Sequence, residues 1–359
     1  MTERRIAHVV SSLSIGGAER LVVDLARLQR RDGFSVTILN FSDATDALCE
    51  EARAAGIDVV SLQRGAPLAR RLRTVAASMR PPSPAALHIH SPWCLRACAP
   101  FLPFFPGRIV YTRHGAHAYD SWTWRLLHAW SHRFIDHVTF VSQESLEVHR
   151  RAYGRSSVPL HVLEFGVDTS VPERVSPSGR PLRIGSVGRL VELKGQRFLI
   201  DAFARLADLP DLELHLFGDG PDRAALEQHA ASLPQGRVFF HGTVMDRNAI
   251  YESIDALAVA SRMEGLSLVI MEAMARAIPV VATDVGGNSR LVSTERTGLT
   301  VPYADSAAMA GALRRLVTEP GLASRLGAAG RRRIESEYSL ESAQRKLLEL
   351  YGFTRPAPG

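Results

Sequence analysis

Lysine is almost absent from this chain: of 43 Lys and Arg residues, only Lys194 and Lys346 are lysine. Cysteine is nearly as scarce. Cys49, Cys94 and Cys98 are odd in number and form no Cys-x-x-Cys pair. That excludes a disulfide framework and a structural zinc site, and makes a reducing cytoplasm the expected compartment. No run approaches the ~18 apolar residues of a membrane span. The stretch Met1–Val10 turns polar too early to read as a signal peptide. There is also no Asp-x-Asp anywhere, so one common metal-binding element is missing. What is present is ordinary for a globular protein. Hydrophobic residues make up 46% and charged residues 22%, which rules out bulk disorder, collagen and coiled coil.

The 359 residues predict two domains at ~150 residues per domain. The net charge of +6 suits anionic partners such as nucleotides, phospholipid headgroups or nucleic acid, without choosing among them. Short β-branched runs alternate with longer amphipathic stretches, the pattern of βα units on parallel sheets. Strands are read at 6–10, 36–39, 59–62, 87–90, 109–112, 138–141 and 161–163, with helices at 18–30 and 123–133 among those between them. The segment Val167–Pro181, with three prolines, reads as a linker. The alternation restarts with strands at 182–187, 213–217, 238–240, 256–259 and 279–282, then late helices at 306–318, 321–337 and 340–351. The domains are therefore placed at 1–167 and 182–337, joined by 168–181, with a helix in 338–359 packing back on the first. The expected architecture is two doubly wound α/β domains with a cleft between them.

Ligands of such sheets bind at the carboxyl ends of strands, near helix amino termini. Three loops there carry candidate chemistry. In Ser14-Ile-Gly-Gly-Ala-Glu19, the paired glycines Gly16 and Gly17 let backbone amides approach a phosphate, although a plain tight turn fits equally. In Gly188-Arg-Leu-Val-Glu-Leu-Lys-Gly195, two cations, Arg189 and Lys194, share one strand-to-helix loop and can neutralise a diphosphate; the alternative is a solvated loop. In Arg262–Ala275, Ser267 is expected to cap a helix, leaving Glu264 in the loop beside the amides of Gly265, Leu266 and Ser267. Glu272 then falls inside an apolar helix, where an unpaired carboxylate is costly and a salt bridge to an arginine is the plain alternative.

Glu264 through Glu272 matches the E-x7-E motif of the retaining glycosyltransferases of family 4, also called group 1. Ala273–Gly287, Gly188–Gly195, Phe217-Gly-Asp-Gly-Pro221 and Gly298-Leu-Thr-Val301 also resemble that family. So do Gly16-Gly-Ala-Glu19, Thr112-Arg-His-Gly115 and Val141-Ser142 in the first half. The resemblance spans nearly the whole chain and is strongest over 182–302. It implies a GT-B fold, two Rossmann-like domains facing across a cleft, with a nucleoside-diphosphate sugar held mainly by the second. Residue by residue, it implies that Arg189 and Lys194 bind the donor diphosphate, Glu264 the donor sugar and Glu272 the ribose hydroxyls. The amides of Gly265, Leu266 and Ser267 would meet sugar or phosphate. Gly16 and Gly17 would close over the phosphates, and His114 would approach the reaction centre. Two positions depart from the family: Arg290 where Glu is common, and Phe165 where Asn is common before Gly166-Val-Asp168.

The implied activity is metal-independent sugar transfer with retention, to a glycan or lipid-linked acceptor, in cell-envelope or exopolysaccharide assembly. No cofactor is expected, the nucleotide sugar being a substrate. The competing readings are a nucleotide-sugar epimerase of the same fold and an inactive nucleotide-sugar-binding subunit. Nucleic acid is not an expected partner, since no aromatic–basic stripe is read. Ten of the thirteen histidines precede residue 162; His88, His90 and His117 are read as ordinary, and only His114 is singled out. Last, Arg64–Arg80 carries five arginines and no acid, with Leu68, Leu72, Val75 and Met79 at helical spacing. Near the proline-broken Pro100–Pro106 loop, it is either a peripheral docking face for anionic membrane or an ordinary helix packed on its sheet.

Overall fold

The computed structural model describes residues 4–63, 65–79, 83–114, 121–154, 156–174, 182–231 and 237–353. The chain forms two units, Met1–Phe165 with Leu340–Gly359, and Gly166–Ser339.

The first unit is built on seven strands: β1 (Arg5–Val10), β2 (Ser35–Asn40), β3 (Asp58–Ser61), β4 (Ala86–Ile89), β5 (Arg108–Arg113), β6 (His137–Phe140) and β7 (Leu160–Val162). Their order is β3-β2-β1-β4-β5-β6-β7, with every pair parallel. The helices are α1 (Gly17–Arg31), α2 (Ala47–Ala54), α3 (Leu68–Met79), α4 (Pro92–Cys98), α5 (Trp122–Ser131) and α6 (Gln143–Tyr153). A parallel sheet covered on both faces calls for near-continuous apolar strands, and β1 and β4 supply them apart from Arg5 and two histidines, His8 and His88. Register then matters: β1 pairs with β4 so that His8 lies opposite His88.

The second unit carries β8 (Leu182–Val187), β9 (Leu212–Phe217), β10 (Val238–Gly242), β11 (Ala256–Val259), β12 (Val280–Thr283) and β13 (Leu299–Val301), again all parallel, in the order β10-β9-β8-β11-β12-β13. Its helices are α7 (Gln196–Ala204), α8 (Arg223–Ala230), α9 (Arg247–Ser253), α10 (Leu268–Ala275), α11 (Asn288–Leu291), α12 (Ser306–Thr318) and α13 (Leu322–Glu337). The chain then returns to the first unit as α14 (Leu340–Leu350), whose Leu340, Ala343 and Leu347 join Leu21, Leu25 and Leu28 of α1 in one buried cluster.

Two differences from the sequence reading are physical. The short edge strand β13 falls within Gly298-Leu-Thr-Val301, which the sequence offers only as part of a motif. The segment read as a linker begins docked on the second unit. Val167 pairs with Ser339 and is buried in that core, and the Arg174 guanidinium donates to the Ile254 carbonyl (3.1 Å) and to Asp255 (3.2 Å). Residues 175–181 lie outside the described residues. Of the two readings of Arg64–Arg80, α3 shows the plainer one on its apolar side, which is kept for its own sheet: Val75 and Met79 are buried, Leu72 is half-buried, and Arg70 and Arg73 are exposed. Arg71 lies over the Phe41 ring. Arg64, Arg80 and the Leu68 side chain lie outside the described residues. Among the described residues no helix is long and apolar enough to cross a membrane.

Candidate functional site

Each sheet has one switch point, where the strand order reverses and the following loops splay apart to leave a crevice. In the second unit it lies between β8 and β11. The loop after β8 is Gly188–Gly195, and the loop after β11 is Ala260–Ser267. Three candidates separated by up to 75 residues are thereby brought to one place. Lys194 Nζ donates to Glu264 Oε1 at 2.5 Å, and Ser261 Oγ donates to the same oxygen at 2.8 Å. The Arg189 carbonyl accepts from Gln196 Nε2 (2.9 Å); the Arg189 side chain is exposed, with no ion pair among the described residues.

Backbone contacts hold these loops together. The Arg262 amide donates to the Leu193 carbonyl at 2.9 Å. Gly195 has φ +68°, and a Cβ there would sit 2.1 Å from the Ala260 carbonyl oxygen, so only glycine lets the two loops touch. From the other side, Gly286 (φ +49°) presses on the Glu264 carbonyl, where a Cβ would again come within 2.1 Å. Gly265 is exposed between them, Leu266 is half-buried and Ser267 is buried. Ser267 does stand at the N-cap of α10, but its side chain makes no capping bond. The expected hydroxyl cap is therefore corrected: the first turn of α10 keeps its amides without it.

Glu272 lies one turn inside α10 and is buried. Both its oxygens are engaged: Arg247 Nη1 binds Oε1 at 2.7 Å, and the Tyr251 hydroxyl donates to Oε2 at 2.7 Å. Burial and the adjacent carboxylate push the Tyr251 phenol well up, so it stays a donor. The arginine partner weighed for Glu272 is thus Arg247, twenty-five residues upstream and not legible from the motif.

In the first unit the switch point lies between β1 and β4. Gly16 is extended and precedes α1; Gly17 is exposed. The Glu19 carboxylate folds back over Gly16, where it would crowd a Cβ at 2.3 Å, and accepts weakly from Ser12 Oγ at 3.4 Å. That acid occupies the helix end at which a phosphate was expected. His114 follows β5 directly, so Thr112 and Arg113 are strand residues rather than part of a turn; Gly115 and His117 lie outside the described residues. The His114 ring stacks toward buried Phe165 with centroids 6.1 Å apart, and burial lowers its pKa to about 4.

Behind His114 stands a group that sequence reasoning passed over. His114 Nε2 is 3.0 Å from His90 Nδ1, His90 Nε2 is 2.9 Å from His8 Nδ1, and His8 Nε2 is 2.7 Å from Gln29 Oε1. His88 Nδ1 lies 2.6 Å from the Tyr351 hydroxyl, and its Nε2 lies 2.6 Å from Thr112 Oγ1. His8, His88 and His90 bring ring nitrogens within 4.8 Å of one another, near enough for a metal ion, yet all six of their nitrogens already have partners. The sequence signal was available for His8 and His88, histidines in central parallel strands that are otherwise almost wholly apolar.

A second omission is on the surface. The chain's four tryptophans are Trp93, Trp122, Trp124 and Trp130. Trp122, Leu126 and Trp130 recur at spacing four along α5 and are exposed, Trp122 by 72% and Leu126 by 61%. Trp93 and Phe104 are exposed as well, the Trp93 ring meeting Trp124 edge-on at 5.5 Å. Arg96 lies over Trp93, and Arg125 and Arg133 are exposed along and beyond α5. An aromatic–basic stripe therefore exists, contrary to the sequence reading.

Comparison with known proteins places both halves in one family. The model of family 4 glycosyltransferases matches residues 15–171, and that of the group 1 glycosyl transferases matches 181–319. This chain belongs to the family 4, group 1 glycosyltransferases. One similar relative is the alpha-maltose-1-phosphate synthase of Mycolicibacterium smegmatis, 34% identical over 54% of this chain and 56% of the relative. Another is a GDP-mannose-dependent monoacylated alpha-(1-6)-phosphatidylinositol monomannoside mannosyltransferase of Corynebacterium glutamicum, 31% identical over 60% of this chain and 62% of that one. The chain thus spans little more than half the length of these curated relatives. Among solved structures, Anabaena HepE in complex with UDP and glucose superimposes with a TM-score of 0.80 at 22% identity, covering 97% of this chain and 99% of that one. Sucrose-phosphate synthase from Thermosynechococcus elongatus gives 0.76 at 22%, covering 98% of each. Two parallel Rossmann-like units with those neighbours make the fold GT-B.

Proposed function

We propose that this family 4 glycosyltransferase moves a sugar, with retention and without a metal, from a nucleoside-diphosphate sugar to a glycan or lipid-linked acceptor in cell-envelope or exopolysaccharide assembly. The observation that carries the proposal is the meeting of Arg189, Lys194 and Glu264 at the switch point of the second sheet. Breaking an anomeric C–O bond passes through an oxocarbenium-like state while negative charge gathers on the leaving phosphate. Fixed cations beside that phosphate stabilise the state more than the ground state, which is the effective way to lower the barrier. Arg189 and Lys194 are placed to do so, with Glu264 holding Lys194 and turned to the donor sugar. Glu272 is given the ribose hydroxyls, its carboxylate oriented by Arg247 and Tyr251. The amides of Gly265, Leu266 and Ser267 complete the donor side. Gly16, Gly17 and His114 serve from the first unit, and the donor phosphate itself takes the acceptor's proton.

Relatives support the donor and acceptor classes: HepE was solved with UDP and glucose, and the Corynebacterium relative is named for a phosphatidylinositol mannoside. For a lipid-linked acceptor we place peripheral contact with anionic membrane on α4 and α5 rather than on α3. Exposed tryptophan beside arginine, with no acid between residues 121 and 135, suits a bilayer interface with anionic headgroups. The test is transfer of label from a sugar-labelled nucleotide donor to a second molecule, with the product's anomeric configuration read by NMR. A same-face product formed equally with and without EDTA supports the reading. Label retained in an epimerised nucleotide sugar, or activity that dies with EDTA and returns with magnesium or manganese, contradicts it.

A further inference from the structure

The four groups Gln29, His8, His90 and His114 form one unbroken hydrogen-bonded chain of 2.7, 2.9 and 3.0 Å. His8 is fully buried, His90 nearly so and Gln29 fully, so water does not compete for these bonds. Burial holds His8 at a pKa of about 4 and lowers His90 well below its ordinary value, so the imidazoles are neutral near pH 7. A neutral imidazole has one N–H and one lone pair, so each bond in the chain dictates the next.

The direction follows from the amide end. The Gln29 carbonyl oxygen only accepts, so His8 donates from Nε2 and its Nδ1 is bare. His90 must then donate from Nε2 to His8 Nδ1, which leaves His90 Nδ1 bare. His114 in turn donates from Nε2 to His90 Nδ1. Its own Nδ1 is left as a lone pair, with no hydrogen bond to it among the described residues. We propose that Gln29, acting through His8 and His90, sets the tautomer of His114, so that His114 offers an acceptor at Nδ1 to a hydroxyl of a bound sugar. The second half of this statement rests on the donor-site reading above; the hydrogen-bond chain does not.

Two other uses of the cluster fit less well. A metal ion would have to displace hydrogen bonds at ring nitrogens that are all already engaged. A proton conduit would need an end that exchanges protons, and an amide does not. Gln29, His8 and His90 are positioning residues, and their effect should be visible as a tautomer preference rather than only as stability.

The experiment is nitrogen-15 NMR of the full chain with labelled histidine at neutral pH, where protonated and bare ring nitrogens have distinct shifts. His8, His90 and His114 are expected to be Nε2-protonated. In Gln29→Leu the chain loses its anchor, His114 becomes a mixture of tautomers, and turnover falls about tenfold, the scale of one lost hydrogen bond. Gln29→Glu puts a carboxylate beside His8, which favours a doubly protonated His8 donating from both nitrogens, so the chain should reverse and leave His114 protonated at Nδ1. An Nδ1-protonated His114 in the wild type, or an unchanged tautomer in folded Gln29→Leu, overturns the proposal. If Gln29→Leu does not fold, the wild-type pattern decides alone. A tautomer change with unaltered turnover would keep the chain and remove His114 from the reaction, which separates the two claims.

Discussion

Lys194 and Glu264 sit 70 residues apart in sequence and share a hydrogen bond, so each fixes the position of the other. Removing either leaves a lone charge in a half-covered loop and takes away a group that the proposed function assigns to the donor. Glu264→Gln and Lys194→Ala should each lower turnover by ~100-fold or more with melting temperature little changed. Near-native turnover in either variant would show that this pair is not the reacting end of the site. These two residues were legible because a chain with two lysines places one in a strand-to-helix loop, and because the glutamate opens a family motif. Gln29 was not legible, and His8 was legible only as a histidine in an apolar strand. Their significance comes from β1 lying beside β4, a pairing of residues about eighty apart that no local spacing announces. Arg247 beneath Glu272 was hidden for the same reason.

At the level of elements, two amphipathic helices in the first unit had opposite outcomes. The α3 pattern of apolar residues with flanking arginines left two readings, a membrane face or an ordinary helix on its sheet, and Val75 and Met79 are buried against the sheet. Periodicity alone does not say which partner an apolar side will find, and its own sheet is the nearest. The sequence of α5, Trp122-Thr-Trp-Arg-Leu-Leu-His-Ala-Trp-Ser131, is apolar on more than one side, so one side remains uncovered after the sheet is satisfied. The chain should therefore co-sediment with anionic vesicles at low salt and release as salt rises. A Trp122→Ser, Leu126→Ser double variant should lose most of that binding, while Arg70→Gln, Arg71→Gln, Arg73→Gln together should keep it. The reverse pattern would return the docking face to α3, and equal recovery on neutral vesicles would remove it from both.

Across the whole molecule, the strand alternation made both doubly wound units legible, down to the late helices 306–318 and 340–350. Stability, however, is unevenly distributed in its pH response. The first unit buries neutral histidines in two groups. Besides those around His114, burial lowers His132 to about 4 and His149 to about 3, and the Nε2 atoms of His128, His132 and His149 are buried without partners among the described residues. An unfolded chain protonates these side chains near pH 6.5, whereas the folded unit resists until about pH 4 or below. Between those values the unfolded state binds more protons, so stability is full above about 6.5 and is lost as pH falls toward 4. All four tryptophans belong to this unit, so their fluorescence reports its unfolding alone. The melting temperature read that way should drop steadily from about pH 7 to pH 5; a flat profile would mean these histidines are not neutral when folded. The account as a whole turns on whether Arg189 and Lys194 hold a nucleoside diphosphate. The direct measurement is a thermal-shift panel of UDP, GDP and ADP on the full chain and on the Arg189→Ala, Lys194→Ala double variant, without metal. One diphosphate should stabilise the wild type, by ~2.7 kcal/mol at 100 times its dissociation constant, and should leave the double variant unmoved. Equal stabilisation of both proteins, or none by any diphosphate, would contradict it.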